Sequence, residues 1–210
     1  MDIEQVKMTM PGADAPGTPW LNAKQDALPD DMEGMSVLDV GCYNGYYSLY
    51  CASRGARVQS LDVSNEYRNL DPYHSFIEEN GLDCKFRELS VYDLDELDEV
   101  FDLVIFYDVL YHLENPMEAL RRLLPRVGKS FVMSTYIIDS RFAAVDQTVP
   151  MMYCFEPGEL TRHDPTNVWG PTVSCVTKML RVAGSRRLRP SGRERSGRSF
   201  GLAERAPTHF

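Results

Sequence analysis

Residues 36–48 constrain the fold of this chain more than any other stretch. Residues 37–40 form a short, mostly apolar run with two valines, which is typical of a buried strand in a parallel sheet. Gly41 ends the run, and the residues after Gly45 favour a helix. This order places backbone N–H groups at the carboxyl end of the strand, where open α/β sheets bind ligands. We therefore predict a ligand-binding turn; the alternative is a strand–turn–helix without a ligand.

The spacing of the glycines separates classes of cofactor. A nicotinamide-binding turn requires Gly-x-Gly-x-x-Gly, but Tyr43 and Tyr46 occupy the second and third glycine positions after Gly41. A phosphate-binding P-loop requires Lys and then Ser or Thr after its last glycine, whereas two tyrosines follow Gly45. We expect Gly41 and Gly45 to let a different cofactor approach the backbone, because a side chain would block that approach.

An acidic residue follows at the distance expected for a ribose-binding group. Residues 57–62 predict the second strand, and Asp62 ends it, 21 residues after Gly41. In nucleotide-binding sheets an acidic residue about 20 residues beyond the glycine turn binds ribose hydroxyls. A single Asp at a strand end usually only forms a turn. The combination with the glycine turn favours ribose binding by Asp62.

The third predicted strand ends next to two side chains that suit an adenine ring. Residues 84–89 predict this strand, and Val91 and Tyr92 follow it. At the carboxyl edge of the sheet their apolar faces can flank a base. Packing of Tyr92 within its own loop is an alternative that is nearly as well supported.

Four chemically capable side chains follow the predicted central strand at residues 103–106. They are two phenols, a carboxylate and an imidazole within six residues: Tyr107, Asp108, Tyr111 and His112. We predict that Tyr107 takes part in cofactor binding and that Tyr111 and His112 are the catalytic residues on the acceptor side. The alternative is a packed strand followed by a polar turn, in which His112 makes a structural hydrogen bond.

Strand and helix patterns alternate as far as residue 136. This alternation predicts an α/β fold: a Rossmann-like, doubly wound, mostly parallel sheet in a single domain, residues 36–184. We interpret residues 1–35 as an N-terminal cap or lid. Residues 139–171 are irregular and rich in aromatic side chains, which is typical of a functional cover over the substrate side.

Residues 185–210 differ from the rest of the chain in charge. They contain seven Arg, no Lys and two Glu, so this segment carries a net charge of +5. Its composition is typical of a linker or a disordered segment, in which only residues 199–203 fit a strand. We therefore expect an incomplete C-terminal edge of the sheet. The segment is either a basic tail for RNA or another acidic partner or a non-native end; the abrupt arginine enrichment favours the latter.

Composition excludes several classes of function. The net charge of −9 for the whole chain argues against extensive nonspecific binding of nucleic acid. No run of 18 apolar residues and no secretory signal pattern occurs, so we expect no membrane span. The five cysteines are odd in number and lack Cys-x-x-Cys, which favours a reduced, cytoplasmic protein. The four histidines are scattered, so we predict no metal site, and the oligomeric state is not specified.

Several of these segments together resemble the class I S-adenosylmethionine (SAM)-dependent methyltransferases. Asp39-x-Gly41-x-x-x-Gly45 is similar to the first motif of that family, with Tyr43 at a position that is often glycine. A wider set resembles the branch that contains the tRNA wobble-uridine (carboxy)methyltransferases and uncharacterised relatives. Its members occur in the same order between residues 28 and 183: 37–42, 54–56, 61–62, 101–102, 109–113, 115–116 and 169–171.

The resemblance implies SAM as the cofactor. It implies that Asp39, Gly41 and Gly45 shape the methionine side of the pocket, with Tyr43 in the same turn, and that Asp62 holds the ribose. Tyr111 corresponds to a tyrosine that helps bind the carboxylate of carboxy-SAM. Because the other carboxylate-binding cations have no match here, we expect plain SAM.

The expected function is therefore methyl transfer from SAM to an unidentified acceptor, a small molecule or RNA. The tRNA enzymes carry a longer N-terminal extension than residues 1–35, so their substrate does not follow from the resemblance. The methyl group of SAM is already activated, so the protein mainly orients the attacking atom, and a base is needed only for a protonated acceptor. The alternative is a catalytically inactive SAM-binding or partner-binding module, which a missing sheet edge would favour.

Overall fold

The computed structural model describes residues 19–64, 68–139, 141, 146, 148–161, 164–185, 187–193 and 198–204, with 19–22, 187–193 and 198–204 described by their backbone. The strands are β1 (Ser36–Val40), β2 (Arg57–Asp62), β3 (Cys84–Glu88), β4 (Phe101–Tyr107), β5 (Val127–Tyr136), β6 (Met152–Cys154), β7 (Trp169–Pro171), β8 (Arg187–Arg193) and β9 (Arg198–Glu204). The α-helices are α1 (Pro19–Asp26), α2 (Tyr46–Ala52), α3 (Asp71–Asn80), α4 (Pro116–Leu123) and α5 (Val173–Val182). Short 3-10 helices cover Val91–Glu96, Leu110–His112 and Leu124–Arg126.

A seven-stranded sheet in the order β3-β2-β1-β4-β5-β9-β8 forms the centre of the molecule. The first five strands in this order are parallel. In the register, Val37 of β1 lies opposite Val58 of β2 and Leu103 of β4. The carboxyl ends of β1, β2 and β4 therefore meet at one edge of the sheet, as predicted.

Hydrophobic clusters cover both faces of this sheet, because side chains alternate along each strand. Val37 belongs to the cluster that includes α2 and α3 residues such as Leu49 and Phe76. Its neighbour Leu38 belongs to the cluster on the other face, with α4 and α5 residues such as Leu120 and Leu180. Helices on both faces of a parallel sheet make this the doubly wound α/β fold that the strand–helix alternation predicts.

The C-terminal edge of the sheet differs from the expectation. β9 pairs antiparallel with β5, from Ser130 opposite Glu204 to Tyr136 opposite Arg198, and β8 pairs antiparallel with β9. β9 contains the predicted strand at residues 199–203. β8 and the completed edge differ from the linker-like segment and incomplete edge that composition indicated. Composition reflects how much apolar surface a segment can bury, whereas an edge strand can be added through backbone hydrogen bonds alone.

The N-terminal and aromatic segments lie against the same sheet. After α1, Leu28 and Met32 are buried in the cluster with α2 and α3. β6 and β7 form a separate two-stranded antiparallel sheet. The backbone N–H of Val168, just before β7, donates to the carbonyl of Tyr111 at 2.8 Å, so this segment lies beside the end of β4. Within the part of the chain that is described, the helices are too short or too polar to cross a bilayer.

Candidate functional site

The turn after β1 depends on glycine for two local reasons. Gly41 has φ +75°, and a Cβ there would lie 2.2 Å from Cγ2 of Val109. Gly45 has φ +83°, and a Cβ there would lie 2.2 Å from Cδ2 of Tyr73. Both positions therefore favour glycine through backbone conformation and close packing. From the sequence, we expected glycine here so that a cofactor could approach the backbone. In the structure, the side chains of Val109 and Tyr73 lie where a Cβ would be, so packing within the protein also requires glycine.

Asp62 is fixed on this turn by two backbone N–H groups, and its binding of ribose stays a prediction. One carboxylate oxygen accepts a hydrogen bond from the backbone N–H of Tyr43 at 2.7 Å, and the other accepts one from the N–H of Val63 at 2.8 Å. Tyr43 has φ +50°, an uncommon value for a residue with a side chain. Burial raises the pKa of Asp62, against the two backbone hydrogen bonds that lower it. The structure thus brings Tyr43 and Asp62 together in one preorganised turn.

Asp39 lies in the core beneath the turn. It is 3% exposed, and the Ser48 hydroxyl donates to its carboxylate at 2.6 Å. Burial raises the pKa of Asp39 to about 7, opposed by the Ser48 hydrogen bond and assisted by the charge of Asp62. The hydrogen bond from Ser48 to Asp39 therefore connects α2 to β1. With a pKa of about 7, the Asp39 carboxyl group changes its protonation near neutral pH.

Val91 and Tyr92 lie in the loop after β3, as predicted. Val91 is buried in the hydrophobic cluster that contains α4, and Tyr92 packs against the same cluster. The Tyr92 hydroxyl accepts a hydrogen bond from the backbone N–H of Asn115 at 3.0 Å. These contacts give both residues a structural role at the start of α4. Their proposed role beside an adenine ring is additional to that packing.

A buried ion pair joins α1 to the end of β4. Lys24 Nζ lies 2.6 Å from a carboxylate oxygen of Asp108, and the Lys24 side chain is 4% exposed. The second Asp108 oxygen accepts from the Ser134 hydroxyl at 3.0 Å, and Asp108 has φ +58°. The Tyr107 hydroxyl donates to the Lys24 carbonyl at 2.9 Å, and burial raises the pKa of Tyr107. Sequence reasoning missed Lys24, since a single lysine in a weakly periodic segment carries no signal.

Tyr111 and His112 are adjacent at the same edge. Their ring centroids lie 4.2 Å apart, and Tyr111 is buried. The Tyr111 ring also meets Tyr136 edge-on at 6.4 Å, and Tyr136 meets Phe155 edge-on at 5.9 Å. Burial raises the pKa of Asp62, and the charge of His112 offsets a small part of that rise. The imidazole therefore lies within electrostatic reach of the predicted ribose-binding carboxylate.

Two residues of the irregular segment hold the His112 ring. Nδ1 of His112 lies 2.9 Å from the Thr166 hydroxyl oxygen and 3.3 Å from the Thr166 carbonyl oxygen. The Thr166 hydroxyl donates to a carboxylate oxygen of Asp164 at 2.5 Å, and the Thr166 backbone N–H donates to the same oxygen at 3.0 Å. The sequence analysis did not identify Asp164 or Thr166. Its only available signal was an Asp-Pro-Thr-Asn turn pattern, which does not specify a distant partner.

Comparisons with known proteins agree with this geometry. Residues 38–129 match the family described as "Methyltransferase domain". The chain is 26% identical over 107 residues to a ubiquinone biosynthesis O-methyltransferase of Rickettsia conorii, covering 51% of this chain and 36% of that protein. It is 26% identical over 158 residues to a tRNA U34 carboxymethyltransferase of Desulfotalea psychrophila, covering 75% of this chain and 47% of that protein. The chain thus spans less than half the length of these two curated relatives.

A solved structure shows the same fold. Magnesium protoporphyrin IX methyltransferase of Synechocystis, crystallised with S-adenosylhomocysteine (SAH), has a TM-score of 0.58 and 19% sequence identity. The match covers 97% of this chain and 82% of that enzyme. The comparisons confirm the predicted resemblance to class I SAM-dependent methyltransferases and the Rossmann-like fold.

Proposed function

We propose that this chain is a SAM-dependent methyltransferase acting on a small-molecule or RNA acceptor. The observation that carries the proposal is the turn in which the Asp62 carboxylate is fixed against the Tyr43 N–H, 2.7 Å away. This turn follows the first strand of a region that matches a methyltransferase domain, residues 38–129. By their names, the curated relatives are an O-methyltransferase of ubiquinone biosynthesis and a carboxymethyltransferase of tRNA U34, so their substrates do not transfer to this chain.

The residues of the site fit SAM by the chemistry of their donors and acceptors. The Asp62 carboxylate suits ribose hydroxyls, and the positive-φ turn at Gly41, Tyr43 and Gly45 presents backbone to the methionine side. Lys24 balances the charge of Asp108, and burial raises the pKa of Asp39 to about 7. Asp62 is therefore the member of these three carboxylates that supplies negative charge for a cationic cofactor. When bound, SAM supplies a methyl group already activated for transfer.

Plain SAM fits this site better than carboxy-SAM. A carboxylated cofactor needs a cation for its additional carboxylate. The ammonium of buried Lys24 is neutralised by Asp108 at 2.6 Å. The guanidinium of Arg68, near Asp62, is paired with Glu88 at 3.8 Å. The proposed adenine neighbours are Val91 and Tyr92.

The acceptor would then bind on the side of Tyr111 and His112. Tyr107 supports this side through its hydrogen bond to the Lys24 carbonyl. We assign Tyr111 to contact the cofactor or acceptor and His112 to receive a proton from the acceptor. A missing sheet edge would favour the inactive-module alternative, and β9 and β8 occupy that edge. We also propose a cytoplasmic location, which the five free thiols support.

Thermal-shift titration tests the cofactor assignment. SAM and SAH should each raise the melting temperature, since a ligand that binds only the native state stabilises it by about 2.7 kcal/mol at 100 times its Kd. NAD should produce no shift. Stabilisation by NAD alone would overturn the assignment.

A further inference from the structure

The contacts of His112 determine which of its ring nitrogens carries the proton. Nδ1 faces two oxygen atoms of Thr166, the hydroxyl at 2.9 Å and the carbonyl at 3.3 Å. A carbonyl oxygen can only accept a hydrogen bond. The hydroxyl has one hydrogen and donates it to a carboxylate oxygen of Asp164, which lies 2.5 Å from the hydroxyl oxygen. Nδ1 must therefore be the donor to Thr166, an assignment that follows from the hydrogen-bond network.

Asp164 keeps the Thr166 hydroxyl oriented. Its carboxylate accepts from both the hydroxyl and the backbone N–H of Thr166. Burial works against the charged form, but these two hydrogen bonds and the charge of His112 lower the pKa of Asp164. An ionised carboxylate only accepts, so the Thr166 hydrogen stays directed towards Asp164 and the hydroxyl lone pairs towards His112.

The imidazole is also held against the wall of the site. Its ring lies on the buried Tyr111 ring, with centroids 4.2 Å apart. The segment that carries Thr166 is tied to Tyr111 by the hydrogen bond between Val168 N–H and the Tyr111 carbonyl. With the proton on Nδ1, the other nitrogen of neutral His112, Nε2, holds the basic lone pair.

We propose that Asp164 and Thr166 are positioning residues that fix His112 as a base acting through Nε2. Since this rests on the proposed methyl transfer, it narrows the acceptor to one whose attacking atom carries a proton, a hydroxyl or an N–H group. An acceptor that is already anionic at neutral pH, such as a carboxylate, needs no base.

Methyl transfer forms one bond, breaks one bond and releases one proton from the acceptor. A lone pair of the acceptor oxygen or nitrogen forms the new bond to the methyl carbon, and the carbon–sulfur bond breaks with its electron pair moving to sulfur. The acceptor proton passes to Nε2 of His112. The products are the methylated acceptor, SAH and a His112 imidazolium. The charges of Asp62 and Asp164, both electrostatically coupled to His112, stabilise that imidazolium.

Nitrogen NMR of the histidine rings tests the positioning without an acceptor. The full chain is labelled with ¹⁵N, and the His112 signals are identified by their loss in His112→Gln. At a pH where the ring is neutral, we expect Nδ1 protonated and Nε2 unprotonated. Thr166→Ser, which keeps the hydroxyl, should retain this pattern. Thr166→Val, which keeps the shape but loses the hydroxyl, should shift the population towards the Nε2-protonated form.

Two results would overturn the inference. One is an Nε2-protonated His112 in the wild-type protein. The other is a Thr166→Val spectrum that matches Thr166→Ser, provided that both variants melt like the wild type. Neither result affects SAM binding, so failure of this inference is distinguishable from failure of the proposed function, which thermal shift with SAM reports.

Turnover supplies the second arm of the test. Catechol, imidazole, acetate and unmodified tRNA are incubated with labelled SAM. We expect transfer to a hydroxyl or N–H acceptor, with turnover lowered about 10–100-fold in Thr166→Val, part of the 10²–10⁴-fold that a general base contributes. Thr166→Ser should recover most of it, with SAM affinity unchanged in both. Transfer to acetate alone would contradict the proposed acceptor class.

Discussion

Two regions at the same edge of the sheet are built in different ways. The cofactor-side turn, Gly41, Tyr43 and Asp62, is held by hydrogen bonds that its backbone N–H groups donate. Gly41 N–H donates to the Leu61 carbonyl, and Tyr43 N–H donates to the Asp62 carboxylate. The end of β4, Tyr107, Asp108, Tyr111 and His112, is held by side chains far away in sequence. Lys24 is 84 residues from Asp108, and Thr166 is 54 residues from His112.

Because of this difference, the two regions tolerate different kinds of substitution. The cofactor-side turn relies on backbone conformation, so its sensitivity lies in positions where a Cβ does not fit. The end of β4 relies on charged and polar side chains brought together by the fold. Its sensitivity lies in partners whose removal leaves a buried polar group with less compensation.

The largest effect should follow from breaking the buried ion pair at the end of β4. Lys24→Met removes the cation and leaves the Asp108 carboxylate in a mostly buried site. We expect the free energy of unfolding to fall by about 3 kcal/mol, the lower end of the range for removing one partner of a buried pair. Urea denaturation measures the loss.

An exposed ion pair is the matched control for this variant. Arg57 and Glu99 are paired on the surface with side chains 47% and 45% exposed. Arg57→Met should change the free energy of unfolding by less than about 1 kcal/mol. Equal losses in Lys24→Met and Arg57→Met would mean that the Lys24–Asp108 pair does not stabilise the end of β4.

The next effect tests the cofactor-side turn. Gly41→Ala should cost about 2–3 kcal/mol, because the positive φ costs 1–2 kcal/mol and the Cβ meets Val109 at 2.2 Å. Gly34→Ala is the control, since its φ of +70° is similar but nothing lies within 4 Å of its Cβ. Combining Gly41→Ala with Val109→Ala should relieve the close contact. If Gly34→Ala and Gly41→Ala lower the free energy of unfolding equally, the positive φ alone explains why position 41 is glycine.

The same contrast explains how much of the molecule the sequence predicts. The five parallel strands, the glycine turn and Asp62 were predicted because periodicity and spacing are local properties. Lys24 and Thr166 were missed, since their roles arise only when the fold brings them to β4. In the C-terminal segment, residues 199–203 were predicted to fit a strand and lie in β9. β8 and the completed edge were missed because the edge of β5, and not the composition of residues 185–210, provides the pairing.

A smaller effect concerns cofactor affinity. Asp62→Ala should weaken SAM binding by about 1–3 kcal/mol, the range for losing a hydrogen bond to a charged group and leaving its partner unsatisfied. Calorimetric titration with SAM measures the change. Asp98→Ala, at an exposed position outside the site, should bind SAM like the wild type. Wild-type affinity in Asp62→Ala would place the ribose elsewhere.

The last effect is the pH dependence that Asp39 gives to stability, which is seen by comparing measurements at several pH values. Burial raises the pKa of Asp39 to about 7 in the folded protein, above its ordinary value of 3.8. The folded state therefore binds the proton more tightly, so this contribution is fully present below pH 4 and is lost as pH rises towards and through 7.

Asp39→Asn should remove this dependence. Between pH 4 and pH 8 its unfolding free energy should therefore fall by on the order of 3–4 kcal/mol less than that of the wild type, since each unit of pKa shift corresponds to about 1.4 kcal/mol. Asp102 is a control of opposite sign. Its pKa is lowered first by a hydrogen bond from the backbone N–H of Ser36, and then by hydrogen bonds from the side chains of Lys129 and Ser36. Asp102→Asn should instead reduce the loss of stability on acidification below pH 4.

Denaturant titrations at several pH values measure these changes. They would contradict the raised pKa of Asp39 if the stability of Asp39→Asn changed with pH as much as that of the wild type between pH 4 and pH 8. In that case Asp39 would already be ionised in the folded protein, and the turn would rest on a buried carboxylate.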